Sequence, residues 1–354
     1  MLYQTKNQHG GDVYGGGITL DFSANTNPLG TPPGVLEAVC RALPRLHRYP
    51  DPYCRRLVQA ITGHEQVPAS YILCGNGAAD LIYTYCAALR PRTAVELAPT
   101  FVEYGAGLAQ VGCRVERYFL HQAQNFDLDE RFLSFLEEKK PEVVFLCNPN
   151  NPTGRLIPLP LLEQILQYCA AQGARLFLDE CFLDLTEDGV SAKSLLAAHP
   201  ELLILKAFTK SYGMAGIRLG YCLCADNALL RRMAAASPPW NVSSPAQSAG
   251  VAALAERDFL QRTLSLVHTE RRWLTDNLTA LGFWVCPSHA NYLLFRGPLG
   301  LREGLLQQGI AIRGCGNYNG LGDGWYRIAV RPHGENEALI TAIRQFCKEK
   351  SLWQ

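Results

Sequence analysis

Lys210 stands in the segment AFTKSYGMAGIRLGY, directly after an apolar run, with Arg218 eight residues further on. A lysine held in a partly apolar cleft sheds its proton more readily and can attack a carbonyl to form a Schiff base. An arginine beside it can grip a phosphate through two parallel hydrogen bonds. Asp179 closes the apolar run of RLFLDECF. A carboxylate in that position needs a partner, and a protonated ring nitrogen is the partner that would give it chemistry. The segment YILCGNGAAD sets Gly75 and Gly77 ahead of a helix-like stretch, a turn that could offer backbone N–H groups to a phosphate. It is only a partial dinucleotide-binding fingerprint, because Asp80 occupies the place of the third glycine. Asn148–Gly154 (NPNNPTG) follows another apolar run.

These residues need a scaffold that brings distant segments together. Strands are expected at Tyr71–Cys74, Ala94–Ala98, Val143–Cys147, Arg175–Leu178, Leu202–Leu205 and Leu219–Cys222. Helices are expected over 33–46, 53–64, 77–89, 101–111 and Leu161–Gln172. The alternation implies a mostly parallel, doubly wound sheet, and its continuously apolar strands fit burial on both faces. Ligands of such sheets bind beyond the carboxyl ends of the strands, where all four segments above fall. After Pro238, Pro239 and Pro245 the pattern changes: one long helical stretch, about 245–281, then Ala290–Arg296, a helix at 299–308, Ile310–Arg313, Trp325–Val330 and a final helix. Residues 1–30, rich in Gly and Asn, read as an extended arm. The expected division is 1–40 for the arm and the start of a small domain, 41–245 for a large domain, and 246–354 for a small α+β domain.

The composition narrows the partners. With 33 Lys and Arg against 32 Asp and Glu among 354 residues, the chain has no electrostatic reason to seek nucleic acid or an anionic membrane. No apolar run reaches the length of a membrane span, and the first residues lack the apolar core of a signal peptide. The 13 cysteines are scattered and odd in number, with no C-x-x-C pair. They read as small core hydrophobes in a reducing compartment, the cytoplasm, and their spacing supports no metal site.

The segments LCGNGAAD, APTFVEYG, FLCNPNNPTG, LFLDECF and FTKSYGMAGIRLGY resemble, in order and spacing, those of fold-type I, aspartate-aminotransferase-like enzymes that use pyridoxal 5′-phosphate. Within that group the chain is similar to the branch that holds histidinol-phosphate aminotransferases and the L-threonine-O-3-phosphate decarboxylases of cobalamin biosynthesis. The decarboxylases are the nearer match, through His9–Gly11, Asp21–Gly30, Arg48–Pro52, Ala290–Arg296, Ile312–Leu321 and Tyr326–Arg331. The resemblance implies a large cofactor-binding domain built on a seven-stranded sheet and a smaller α+β domain. Lys210 would hold the cofactor as a Schiff base, and Asp179 would pair with its ring nitrogen. Asn151 would donate to the ring oxygen, and Phe101 would stack on the ring. Asn76 and Gly77, through their backbone N–H groups, would bind the phosphate with Thr209 and Arg218. Tyr49 would reach the cofactor phosphate of a neighbouring subunit, which implies a homodimer. Arg327 would clamp the substrate carboxylate. Arg313 would hold the phosphate of a phosphorylated amino acid, with His9, Gly10 and Asn25 nearby.

Two positions depart from the pattern. Phe182 stands where such aminotransferases carry a tyrosine, which removes a hydrogen bond worth about 0.5–1.5 kcal/mol. Ala207 stands where a hydroxyl commonly helps hold the phosphate, so Thr209 and Arg218 must suffice. The implied reaction is decarboxylation of L-threonine O-3-phosphate to (R)-1-amino-2-propanol O-2-phosphate. The alternatives are amino transfer from histidinol phosphate to 2-oxoglutarate and, more remotely, a non-catalytic binding module.

Overall fold

The computed structural model describes residues 9–350; residues 1–8 of the expected arm lie outside the described residues. The chain runs through β1 (Leu20–Asp21), α1 (Pro33–Ala42), α2 (Arg55–Glu65), β2 (Ile72–Gly75), α3 (Ala78–Leu89), β3 (Thr93–Ala98), α4 (Glu103–Gln110) and β4 (Arg114–Phe119). It continues through α5 (Arg131–Lys139), β5 (Val143–Cys147), α6 (Leu159–Gln172), β6 (Arg175–Asp179), β7 (Leu202–Ala207), α7 (Phe208–Ser211), β8 (Gly220–Cys224), α8 (Asn227–Ala236) and α9 (Ser244–Ala253). Strands β2 to β8 form one sheet in the order β2-β8-β7-β6-β5-β3-β4. β8 is antiparallel to both neighbours, and every other pairing is parallel. Six strands therefore end at the same edge.

Alternation along each central strand explains why that edge is rigid. Val144, Leu146, Leu176, Leu178, Leu202 and Ile204 belong to one apolar cluster. Their chain neighbours Val143, Phe145, Cys147, Phe177, Leu203 and Leu205 belong to another. Successive side chains of a strand point to opposite faces, so both faces are dry. Truncating a fully buried ring here, such as Phe177, would cost about 3–5 kcal/mol.

The remaining elements are α10 (Phe259–Ala280), β9 (Trp284–Val285), β10 (Tyr292–Arg296), α11 (Leu301–Gln307), β11 (Ile310–Ala311), β12 (Arg313–Gly314), β13 (Trp325–Ala329) and α12 (His333–Glu349). Four of these strands make an antiparallel sheet, β12-β13-β10-β9, backed by an apolar cluster that includes Leu274, Leu293, Phe295, Ile328 and Ile343. β1 pairs in parallel with β11, Leu20 opposite Ile310, so the start of the described chain is woven into this second unit. Among the described residues no helix is long and apolar enough to cross a membrane. All thirteen cysteines are free thiols, ten of them buried.

The structure corrects the sequence reading in places. The single helix expected over 245–281 is two, α9 and α10, broken over 254–258. The halves bury different stripes: α9 turns Ala246, Ala249 and Ala253 inward, and α10 turns Phe259, Thr263 and Val267 inward. Strand β4 and helices α5 and α8 were not expected. β4, of sequence RVERYF, is an edge strand that no residue of its own buries fully, so it lacks the apolar signature of its neighbours. The helix expected over 33–46 stops at Ala42 and tightens into a 3₁₀ turn at Leu43–Arg45.

Candidate active site

Asp179 is the last residue of β6, with Cys147 of β5 and Leu205 of β7 as its register partners. Three residues past the end of β7 comes Lys210, on the single turn α7. Lys210 keeps part of its surface open to the cleft, while burial around its amine pushes the pKa down to about 8. The positive charges of Arg327 and Arg218 act in the same direction, against Cys181 and Asp179. Its Nζ lies 5.6 Å from the centre of the Phe182 ring. Burial raises the pKa of Asp179, against hydrogen bonds from Cys181 and Tyr104 and the charge of Lys210. The Cys181 N–H donates to its Oδ1 at 2.9 Å and the Tyr104 hydroxyl to its Oδ2 at 2.6 Å.

The corner expected to take a phosphate lies where β2 turns into α3. Gly77, at φ 89°, is where a side chain would collide: a Cβ there would sit 2.9 Å from Arg218 Nη2. The absence of a side chain at Gly77 thus lets the exposed Arg218 guanidinium lie across the loop. The Asn76 and Gly77 amides, expected to serve a phosphate, donate within their own loop here. The Asn76 N–H donates to Asp80 Oδ2 at 2.9 Å, and the Gly77 N–H to the Gly75 carbonyl at 2.9 Å. The open donors at this corner are those of the first turn of α3, beginning at Ala78, since the leading amides of a helix have no intrahelical acceptor. Thr209 is buried on α7, beside Lys210.

Opposite lies a group drawn from the second unit and the start of the chain. Arg327 on β13 is buried; its Nη1 donates to Asn151 Oδ1 at 2.5 Å and its Nη2 to the Ser23 carbonyl at 2.9 Å. Among the described residues its Nε has no partner, and neither amide atom of the buried Asn25 has one. Gly10 packs so tightly on Ser23 that a Cβ would meet the Ser23 carbonyl oxygen at 2.2 Å. The ring of His9 is 5.9 Å from that of Phe101, and its Nε2 is 2.7 Å from Glu103 Oε1. Arg313, register partner of Arg327, spans the Gly314 carbonyl and Asn317 Oδ1 and stands 5.4 Å from the Tyr318 ring centre. Contacts thus link His9 to Phe101, Phe101 through Tyr104 to Asp179, and Arg327, whose register partner is Arg313 and whose charge is felt at Lys210, to Asn151, while Arg218 lies over Gly77. Tyr49 stands apart: it is 78% exposed and stacks on Trp240 at 4.4 Å.

Both departures have a structural counterpart. Phe182 packs edge-on against Tyr292, 5.0 Å between centres, and the Tyr292 hydroxyl donates to the Asn150 carbonyl at 3.0 Å. Ala207 is the buried last residue of β7.

Tyr104 and Tyr292, which the sequence reading passed over, hydrogen-bond to Asp179 and to the Asn150 carbonyl. Tyr104 carries a signal, its i, i+3 spacing from Phe101, which sets both on one side of a helical turn. A buried ionic network beneath α7 was missed as well. Lys206 Nζ donates to Asp184 Oδ1 at 2.9 Å, and Ser211 donates to Asp184 Oδ2 at 2.9 Å. Glu65 joins through Lys206 and Lys193 and accepts a short hydrogen bond from Tyr221. Burial would raise the pKa of Glu65, but Lys206, Tyr221 and Lys193 together bring it to about 2.

Fold and site together define an α/β protein with an enclosed lysine of lowered pKa at the carboxyl edge of its main sheet. The family model for aminotransferases of class I and II matches residues 18–346, and the chain belongs to that family. It is 40% identical over 331 residues to a threonine-phosphate decarboxylase of Salmonella typhimurium, covering 92% of this chain and 90% of that one. It is 33% identical to a histidinol-phosphate aminotransferase of a Geobacillus species, covering 96% and 93%. Among solved structures, the histidinol-phosphate aminotransferase of Clostridium acetobutylicum superposes with a TM-score of 0.87 at 28% identity, covering 93% of this chain and 99% of that one.

Proposed function

We propose that the chain is a pyridoxal 5′-phosphate-dependent decarboxylase that converts L-threonine O-3-phosphate to (R)-1-amino-2-propanol O-2-phosphate, a step of cobalamin biosynthesis. The observation that carries the chemistry is the enclosed Lys210 amine at the same strand edge as the buried Asp179 carboxylate. The substrate rests on the 40% identity to a threonine-phosphate decarboxylase, and the buried Asn25 amide, unpartnered among the described residues, supports a polar ligand near it.

The residues fit the cofactor. A Cβ at Gly77 would fill the space where Arg218 lies over the α3 corner. Asp179 is a buried carboxylate with hydrogen bonds on both oxygens, and a ring N–H suits its remaining lone pairs. Lys210 holds the cofactor. Phe101 stacks on its ring. Arg218, Thr209 and the Asn76–Gly77 loop leading into α3 take its phosphate. Asn151 gives its Oδ1 to Arg327, which leaves its amide N–H groups to donate to the ring oxygen. Bound there, pyridoxal 5′-phosphate supplies an aldehyde for the substrate amine and a ring that accepts the electron pair released at the substrate carbon.

The protein decides which bond breaks. Arg327 grips the substrate carboxylate, while Arg313, His9, Gly10 and Asn25 hold the substrate phosphate. Two fixed ends would leave one rotation about the reacting carbon, so these side chains would select which of its substituents is released. Positioning of this kind is worth several kcal/mol, up to about 7–11 in well-oriented cases, enough to separate loss of CO₂ from loss of a proton. Lys210 then returns a proton to the carbon that lost CO₂.

We further propose a homodimer in which the exposed Tyr49 reaches the cofactor phosphate of the second copy. The domain division 41–245 and 246–354 is likewise a proposal, supported by the strands of the main sheet ending at Cys224 and those of the antiparallel sheet starting at Trp284. The free thiols favour a reducing compartment, the cytoplasm. The second reading, amino transfer from histidinol phosphate, is favoured by the 33% identity to such an enzyme. Incubation of cofactor-loaded protein with L-threonine O-3-phosphate separates them: the first reading requires CO₂ and an amino alcohol phosphate. Release of neither, with formation of the pyridoxamine form from glutamate instead, would establish the second.

A further inference from the structure

Tyr104 plays no part in the roles set out above, yet its placement is specific. It has no exposed surface, and its hydroxyl donates to Asp179 Oδ2 at 2.6 Å, the range of a hydrogen bond to an ionised carboxylate. A phenol carries one proton, so that donor is fully committed. The ring is clamped by Phe145, 5.5 Å between centres. It meets Phe101 edge-on, at 5.6 Å and 79°. One turn of chain thus carries both the ring-stacking Phe101 and the donor that fixes the carboxylate. The Tyr104 hydroxyl resists ionisation strongly, through burial first and then the charge of Asp179, so it remains a donor at any working pH.

We propose that Tyr104 is a positioning residue for the reaction, which sets through Asp179 how firmly a proton is held on the cofactor ring nitrogen and hence how strongly the ring draws electrons. This rests on the functional reading above. The other groups facing Asp179 are the thiols of Cys147 and Cys181, the amine of Lys210 and the phenol of Tyr292. The Cys147 thiol is pushed up by burial and the charge of Asp179, and burial likewise pushes up Cys181 and Tyr292. Lys210 is the cationic member of the set, and Tyr104 and the Cys181 backbone are the donors with a resolved hydrogen bond to the carboxylate. Loss of the Tyr104 hydroxyl removes the positive end of a dipole and leaves the carboxylate more basic. The local potential then becomes more negative, and the ring proton moves towards Asp179. Both changes favour a proton on the imine nitrogen formed by Lys210, so its titration moves to higher pH.

The test is Tyr104→Phe, which keeps the ring and its packing, read in the cofactor-loaded enzyme by the pH midpoint of its visible absorbance. The midpoint should rise by about half a pH unit or more. kcat should fall about tenfold, the factor that corresponds to one hydrogen bond to a charged group, with KM within about twofold. Phe145→Leu, which loosens the same ring without removing a donor, should leave the midpoint in place. A Tyr104→Phe form that cannot retain cofactor while Phe145→Leu retains it would also support the assignment. An unmoved midpoint in Tyr104→Phe, or an equal shift in both variants, would overturn it. Wild-type protein that takes up no cofactor would overturn the functional reading itself, and is told apart by the absence of any absorbance to titrate.

Discussion

The two walls of the cleft are built on different terms. On the sheet side, Asp179 has a donor on each oxygen, and the turn that carries Lys210 is tied to Asp184 through Ser211. On the opposite side, Asn25 has two buried amide atoms without a partner, and Arg327 Nε has none. A buried polar atom without a partner costs about 1–3 kcal/mol, so the second wall stores a cost that a polar ligand would relieve. On the proposed reading the first wall is organised before any substrate arrives, whereas the second is completed by it. Chemistry should therefore fail when the first wall is broken, and affinity when the second is.

The largest effect is expected from the sheet wall. Lys210→Ala should abolish covalent retention of the cofactor and lower kcat by about 10⁴-fold or more, checked by absorbance after gel filtration and by CO₂ release. Asp179→Asn keeps the shape and removes the charge, and should lower kcat on the order of 10³-fold with little change in KM. The opposite wall gives the contrasting result. Arg327→Lys loses the planar fork that grips a carboxylate, and should raise KM about 10–100-fold in steady-state assays.

Asn25→Ala sharpens the contrast further. It should raise KM about three- to tenfold while leaving the melting temperature unchanged or slightly higher, because the amide it removes has no partner to lose. A marked fall in melting temperature would show that Asn25 belongs to the organised wall instead. The mildest expected effect concerns pH. In the cofactor-free protein the Lys210 amine is protonated below about 8 and neutral above it. Only the neutral amine attacks an aldehyde, so the rate of cofactor capture should climb about tenfold per pH unit below 8 and level off above, as stopped-flow absorbance would record.

Much of this arrangement can be read from the sequence because the main sheet is mostly parallel: its site residues fall at strand ends, and parallel strands share an edge. Lys210, Asp179 and the Asn148–Gly154 loop follow from that rule alone. Other features escape it for identifiable reasons. β4 carries Arg114, Glu116 and Arg117 on six residues and lies at the sheet edge, where no apolar alternation is required. The bond between Tyr104 and Asp179 joins residues 75 positions apart, and neither residue type announces the other. The Lys206–Asp184–Glu65 network is legible only once β7 and the segment after β6 are in place. The acceptors that the Asn76 and Gly77 amides find, Asp80 and the Gly75 carbonyl, were not legible either, because a sequence shows a turn but not the partners of its N–H groups.

The pairing of β1 with β11 places a demand on biosynthesis. Thr19 and Gly309, joined by a hydrogen bond at this seam, are 290 residues apart, and the Asn27 amide reaches back to the Lys210 carbonyl from the same early segment. At roughly 5–20 residues per second, a ribosome would need about 15–60 s to deliver the second partner after the first. Until then the opening segment must wait unpaired, and no nascent chain shorter than about nine-tenths of the polypeptide can assemble a working cleft.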